Sequence, residues 1–142
     1  MINKPNDEDS LYEFIHETYH SPNKTKREGS LYISRSFFKR KIEESLQLSA
    51  DWDKKTIPPF DPQYTQNHKN EPDKYGVISQ IAKNLEGIHN GIDIEYTPKN
   101  ENQAHCDINF DEILVNDKKL LNRIVREMRE ISRWEIQYPK LG

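Results

Sequence analysis

The chain has 142 residues, 33% hydrophobic and 32% charged, with a formal net charge of -3 from 21 basic and 24 acidic side chains. That length suits one domain with a small core, and the near-balanced charge supplies no global field for nucleic acid or an anionic membrane. A single cysteine, Cys106, excludes an internal disulfide framework and a cysteine-rich zinc centre.

The polar opening "MINKPNDEDS" lacks signal-peptide character, and residues 1–10 read as a flexible arm. "LYEFIHETYH" (11–20) suits a short helix or a strand equally through Leu11, Phe14, Ile15 and Tyr19. "SPNKTKREGS" (21–30) has the composition of a loop. "LYISRSFF" (31–38) comes near period two and predicts a strand, ended by Lys39, Arg40 and Lys41. "SLQLSADW" (45–52) alternates Leu46, Leu48, Ala50 and Trp52, the pattern of a half-buried strand that places Ser49 on the other face. Residues 53–74 hold four prolines and almost no periodicity. They predict a long irregular loop of the kind that is functional or mobile.

From there "YGVISQ" predicts a strand feeding the short helix "IAKNLEGI", with Asn90-Gly91 as a turn signal. Strands are predicted at 92–98 and 104–110. Between Asp117 and about Trp134, residues Leu120, Leu121, Ile124, Val125, Met128 and Ile131 form one apolar stripe at helical spacing. Asn116 or Asp117 is the expected N-cap. The inventory is α+β: a single domain over 11–135 with a short, mostly antiparallel sheet and a long C-terminal amphipathic helix, followed by a tail at 136–142. No apolar run approaches bilayer length, so a soluble cytoplasmic protein with no membrane contact is expected.

The stretch "NQAHCDINF" places Cys106 on one strand face with Ala104, Ile108 and Phe110, pointing to the core, and His105 and Asp107 on the other. No motif spacing for a metal, a phosphate loop or a nucleophile elbow is present, so no metal and no cofactor are expected. Arg123, Arg126, Arg129 and Arg133 project from the helix face opposite the stripe, where they suit a phosphate or an acidic partner helix, or ion pairs with Glu127 and Glu130. "FFKRK" (37–41) has the aromatic-basic mixture that stacks a base and holds phosphates. Trp52, Trp134 and Tyr138 are core residues or interface anchors.

In order, "FIHETY", "GSLYISRSFF", "LQLSADW", "YGVISQIAKNLEGI", a strand ending at Pro98 and "AHCDINF" resemble a family of small uncharacterised bacterial proteins, over roughly residues 11–134. The resemblance implies no assigned activity, and some members lie in multi-gene, antiphage-type loci. It singles out His16, Ser34, Phe37, Ser49 and His105. This chain departs from the pattern in its long 53–74 loop and in having Glu17 and Thr18 where a proline is expected. "GSLYISRSFF" followed by "LSADW" also resembles the strand pattern of ADP-ribosyltransferase-like folds, though without a catalytic glutamate in the expected setting.

Three functions follow as expectations. The first is a non-catalytic binding or accessory component of a bacterial multi-protein system, with a protein partner engaged through 53–74 or the terminal helix. The second is a nucleotide-processing enzyme, with His16 and His105 binding or polarising the substrate and Ser34, Ser49 or Asp51 assisting. The third, less favoured, is a nucleic-acid-binding adaptor that uses the four arginines and Trp134.

Overall fold

The computed structural model describes residues 4–16, 20–22 and 31–136. Of the loop expected at 21–30, Ser21 and Pro22 lie in a strand and 23–30 fall outside those residues; of the tail expected at 136–142, Ile136 ends a strand and 137–142, with Tyr138, fall outside them, as does Tyr19. Among the described residues, eight strands and four helices form an α+β domain. A six-stranded antiparallel sheet runs in the order β6-β7-β4-β1-β5-β8, where β1 is Ser10–His16, β4 Gln47–Trp52, β5 Tyr75–Ile81, β6 Asp93–Tyr96, β7 His105–Asn109 and β8 Arg133–Ile136. A separate hairpin pairs β2 (His20–Pro22) with β3 (Leu31–Ile33). The helices are α1 (Arg35–Ser45), the single turn α2 (Pro62–Gln66), α3 (Ala82–Ile88) and α4 (Lys118–Ile131).

Strand alternation sorts the sheet into a dry face and a wet face. Leu11 and Ile15 of β1, Leu48, Ala50 and Trp52 of β4, Ile78 of β5, Ile94 of β6, and Cys106 and Ile108 of β7 all turn to one side. There they meet Phe37, Phe38 and Ile42 of α1, Leu85 of α3, and Leu121, Ile124, Val125 and Met128 of α4. The α4 set falls at i, i+3, i+4 and i+7, the stripe expected from the sequence, and each buried side chain stabilises the fold by about 2 kcal/mol. Asp117 caps that helix by accepting a hydrogen bond from the Leu120 amide at 3.0 Å.

Four expectations need correction. Residues 35–38 are helical, not part of a strand over 31–38. Ser34 Oγ accepts from the Ser36 amide at 3.1 Å, and Phe37, Phe38 and Ile42 then share the buried side of α1. The helix closes at Leu46, whose amide still donates to the Ile42 carbonyl at 2.9 Å and whose left-handed φ of 56° turns the chain out of the helix into β4. The terminal helix stops at Ile131, and Arg133 and Trp134 lie in β8 paired with Ser79 and Ile78 of β5.

The third concerns residues 4–9, expected to be part of a loose arm, which are tied down. Asp9 is buried and accepts from the Asn6 amide (2.8 Å) and Trp52 Nε1 (2.9 Å) while pairing with Lys54 Nζ (2.9 Å). The amides of Ala82 and Lys83 donate to the carbonyls of Asp9 and Asp7. Finally, the proline-rich stretch 53–74 is not structureless. It contains two 3-10 turns and α2, and it lies across the wet face of β1 and β5.

Candidate functional site

Three of the sequence candidates meet on the wet face. Register sets Asp51 of β4 directly opposite His105 of β7, and Ser49 opposite Asp107. The cluster is closed from within. Asp51 accepts from Thr65 Oγ1 at 2.7 Å and from Asn102 Nδ2 at 2.8 Å, one donor on each carboxylate oxygen. His105 is buried, and its Nδ1 sits 3.0 Å from the Thr97 carbonyl and 2.9 Å from Thr97 Oγ1. A carbonyl can only accept, so Nδ1 carries the proton. Nε2 is buried without a hydrogen-bond partner, and Asp107 Oδ1 at 3.8 Å is too distant to bond it. Asp51 therefore fastens α2 and the 99–102 turn to the sheet, and His105 holds the end of β6 through Thr97. Ser49 stays exposed on the open part of the face.

Cys106 points into the core, as alternation requires. Burial, and then the charges of Asp51 and Asp107, push its thiol up to about 12, which leaves an unreactive thiol. Ser34 is a helix cap and lies outside the six-stranded sheet, so it does not join Ser49, Asp51 or His105. His16 does lie on the wet face, but at the far end of β1. Tyr12 faces Asp51, which faces His105, so strand spacing separates His16 from His105 by about 16 Å. The two histidines do not share a cleft. Among the described residues, no group of three His, Cys, Asp or Glu side chains is placed to hold a metal ion.

The arginines do not form one stripe. Arg123 pairs with Glu127 at 3.7 Å and Arg126 with Glu130 at 3.9 Å, both one turn apart on α4. Arg129 is half-buried, and Arg133 lies in β8. Trp134 packs against the core and is not an exposed anchor. Phe37 and Phe38 are buried edge to face at 5.0 Å, so "FFKRK" offers no ring for stacking a base.

What the sequence did not single out is the tip of the 53–74 segment. Ile57 is 73% exposed and Phe60 60%, with Pro58 and Pro59 exposed between them. The tip is held from below. Thr56 is buried, and its Oγ1 lies 3.0 Å from the Asp53 carbonyl and 2.8 Å from the Pro58 carbonyl and accepts from the Asp61 amide at 3.1 Å. The Phe60 amide donates to the Asp53 carbonyl at 2.8 Å, and Asp53 Oδ2 in turn accepts from the Ser10 amide of β1 at 3.1 Å. Phe60 adopts φ 64°, a left-handed conformation that is an outlier for an aromatic residue. Burial does not explain that strain, because the ring faces outward. Lys54 and Lys55 stand beside the tip. Lys54 is neutralised by Asp9, and Lys55 Nζ lies 5.3 Å from the Trp52 ring and 5.8 Å from that of Tyr96. A second apolar pair, Ile113 (51%) and Val115 (48%), is exposed on the 3-10 turn before α4. Ile-Pro-Pro-Phe was legible as an apolar run inside a polar loop, and that was its one sequence signal.

Comparison of the chain with protein-family models, with curated proteins and with solved structures finds no match.

Proposed function

We propose that this protein is a binding component of a multi-protein assembly, docking a protein partner through the apolar tip Ile57–Phe60. The observation that carries this reading is an exposed aromatic held at positive φ by a buried hydrogen-bonded clamp. Backbone strain of roughly 1–3 kcal/mol persists only where the surroundings enforce it, and it clusters where a side chain is presented to a ligand. An isoleucine and a phenylalanine on a tethered turn supply the rigid apolar anchor that carries much of an interface's energy. The bacterial multi-gene setting implied by the sequence resemblance suits such an accessory role.

The test is capture of the tagged full chain from its source organism, with the native mass of the complex. The wild type is expected to bring down a partner in fixed ratio. Ile57→Ser with Phe60→Ser should abolish it while thermal unfolding stays unchanged, because neither side chain is buried. A partner retained at full ratio by that double variant refutes the docking role.

A further inference from the structure

We infer that the partner engaged by the tip Ile57–Phe60 is a second copy of this chain, which receives the tip in the groove between Leu46 and the 3-10 turn Glu112–Val115. The inference rests on the docking reading of that tip and names its occupant.

The groove has a volume of about 630 Å³ and is lined by Leu46, Asp111, Glu112, Ile113, Val115 and Asn116. That lies within the range of roughly 300–1,000 Å³ in which pockets take up a whole small ligand. Its apolar lining follows from how the turn is seated. In Glu-Ile-Leu-Val, Leu114 is fully buried and joins the core, so its neighbours Ile113 and Val115 are left exposed. Asp111 pins the turn by accepting from the Ile113 amide at 3.2 Å. Among the described residues, the large hydrophobic side chains that stand exposed are this pair and the pair on the tip, Ile57 and Phe60. The molecule thus carries one apolar knob and one apolar recess.

Charge decides how they pair. The charged side chains that line the groove, Asp111 and Glu112, are both acidic, and Glu112 makes no ion pair among the described residues. Beside the tip, Lys54 is already paired with Asp9, but Lys55 has no ion pair among those residues and stands over the Trp52 and Tyr96 rings. A tip seated in the groove sets Lys55 against the acidic lining. Tip against tip would bring lysines together, and groove against groove would bring carboxylates together. No chain can fill its own groove. Leu46 precedes β4 and Asp53 follows it, so the two patches lie about 20 Å apart at opposite ends of that strand. The contact is therefore head to tail, and successive copies close into a ring or extend as a filament.

The experiment is sedimentation velocity on the purified full chain over a wide range of concentration. The sedimentation coefficient of the wild type is expected to rise with concentration. It should stay at the monomer value for Ile57→Ser with Phe60→Ser, and equally for Ile113→Ser with Val115→Ser. None of the four side chains is buried, so both variants should keep the wild-type unfolding temperature. Mixed in equal amounts, the two variants should form a dimer that grows no further, because one retains the groove and the other the tip. Glu112→Lys should weaken association about fivefold, and adding Lys55→Glu to the same chain should restore it. A wild type that stays monomeric while the tagged chain still captures a different protein through its tip overturns the self-association and leaves the docking reading standing. Association that survives the tip variant, that is untouched by the groove variant, or that is not recovered in the mixture overturns the tip-in-groove contact.

Discussion

Glu13 makes the sharpest physical test of this structure. It lies in β1 between Leu11 and Ile15, on the dry face, opposite Ile78 of β5. It is 1% exposed, and neither carboxylate oxygen has a hydrogen-bond partner. Burial raises its pKa from 4.5 to about 8, with the charge of Lys41 pulling weakly the other way. A group whose folded pKa is raised favours the fold fully below its unfolded value and loses that contribution as pH rises. The window is therefore pH 4.5 to about 8. At about 1.4 kcal/mol per pH unit the loss reaches at most about 5 kcal/mol, a large part of the roughly 10 kcal/mol that a domain of this size commands. Glu13→Gln removes the ionisation and keeps the shape. Urea unfolding across that window should show the wild type losing stability steadily while the variant stays nearly level. The two should lie close together at the acid end and stand several kcal/mol apart at the alkaline end. A wild type that is flat or gains stability relative to the glutamine variant as pH rises would show that Glu13 is not a buried, unpartnered carboxylate.

Other consequences follow from single groups. Burial works against the charge on Asp9, but bonds from Lys54, Asn6 and Trp52 outweigh it and hold the pKa below 3.8. Its stabilising share is thus present above that value and is lost as pH falls through the lower folded one, so Asp9→Asn should flatten the acid limb of a stability–pH curve measured by circular dichroism. Asp51→Ala strands Thr65 and Asn102 and should cost about 2–3 kcal/mol, read by chemical denaturation, with faster amide exchange across α2. Gly91→Ala would place a Cβ 2.6 Å from Asp111 Cβ, in the tight turn before β6. Either the turn or the cap that Asp111 gives the Ile113 amide must shift, and a drop of about 1–3 kcal/mol is expected in thermal unfolding. An unchanged melting temperature there would place the turn elsewhere.

Much of the architecture was legible because period and burial agree. β4 and β7 show clean alternation, so the inward Cys106, the outward His105 and the exposed Ser49 could all be placed from sequence. The stripe of α4 was equally plain. The reading failed where two periods overlap. Leu31 to Ile33 alternate as a strand does, and Phe37, Phe38 and Ile42 continue as a helix, so the boundary rests on the single cap Ser34. The end of α4 was overrun because Arg133 and Trp134 extend the helical spacing of the stripe while pairing as a strand with β5. Long-range bonds were illegible altogether. Nothing local says that Thr65 reaches Asp51, or that Asp9 is sealed under Trp52. For the same reason, residues 53–74 looked empty of structure. The histidines recovered their meaning only through register. His105 serves the end of β6, and His16 faces Tyr75.

The polar underside has a further consequence for how the molecule comes apart. Its two sides are held by different materials. The helical side is sealed by hydrocarbon, which water cannot replace. The 53–74 cover is fastened by side-chain bonds: Thr65 to Asp51, Gln66 to the Tyr75 carbonyl, Tyr64 to Asn102. Water substitutes for such bonds at small net cost. The cover can therefore lift as a unit while the sheet and its three helices stay assembled, in the manner of a local opening with its own free energy. Lifting it would move the exposed Ile57–Phe60 tip and Lys69 together, because both are carried on that one segment.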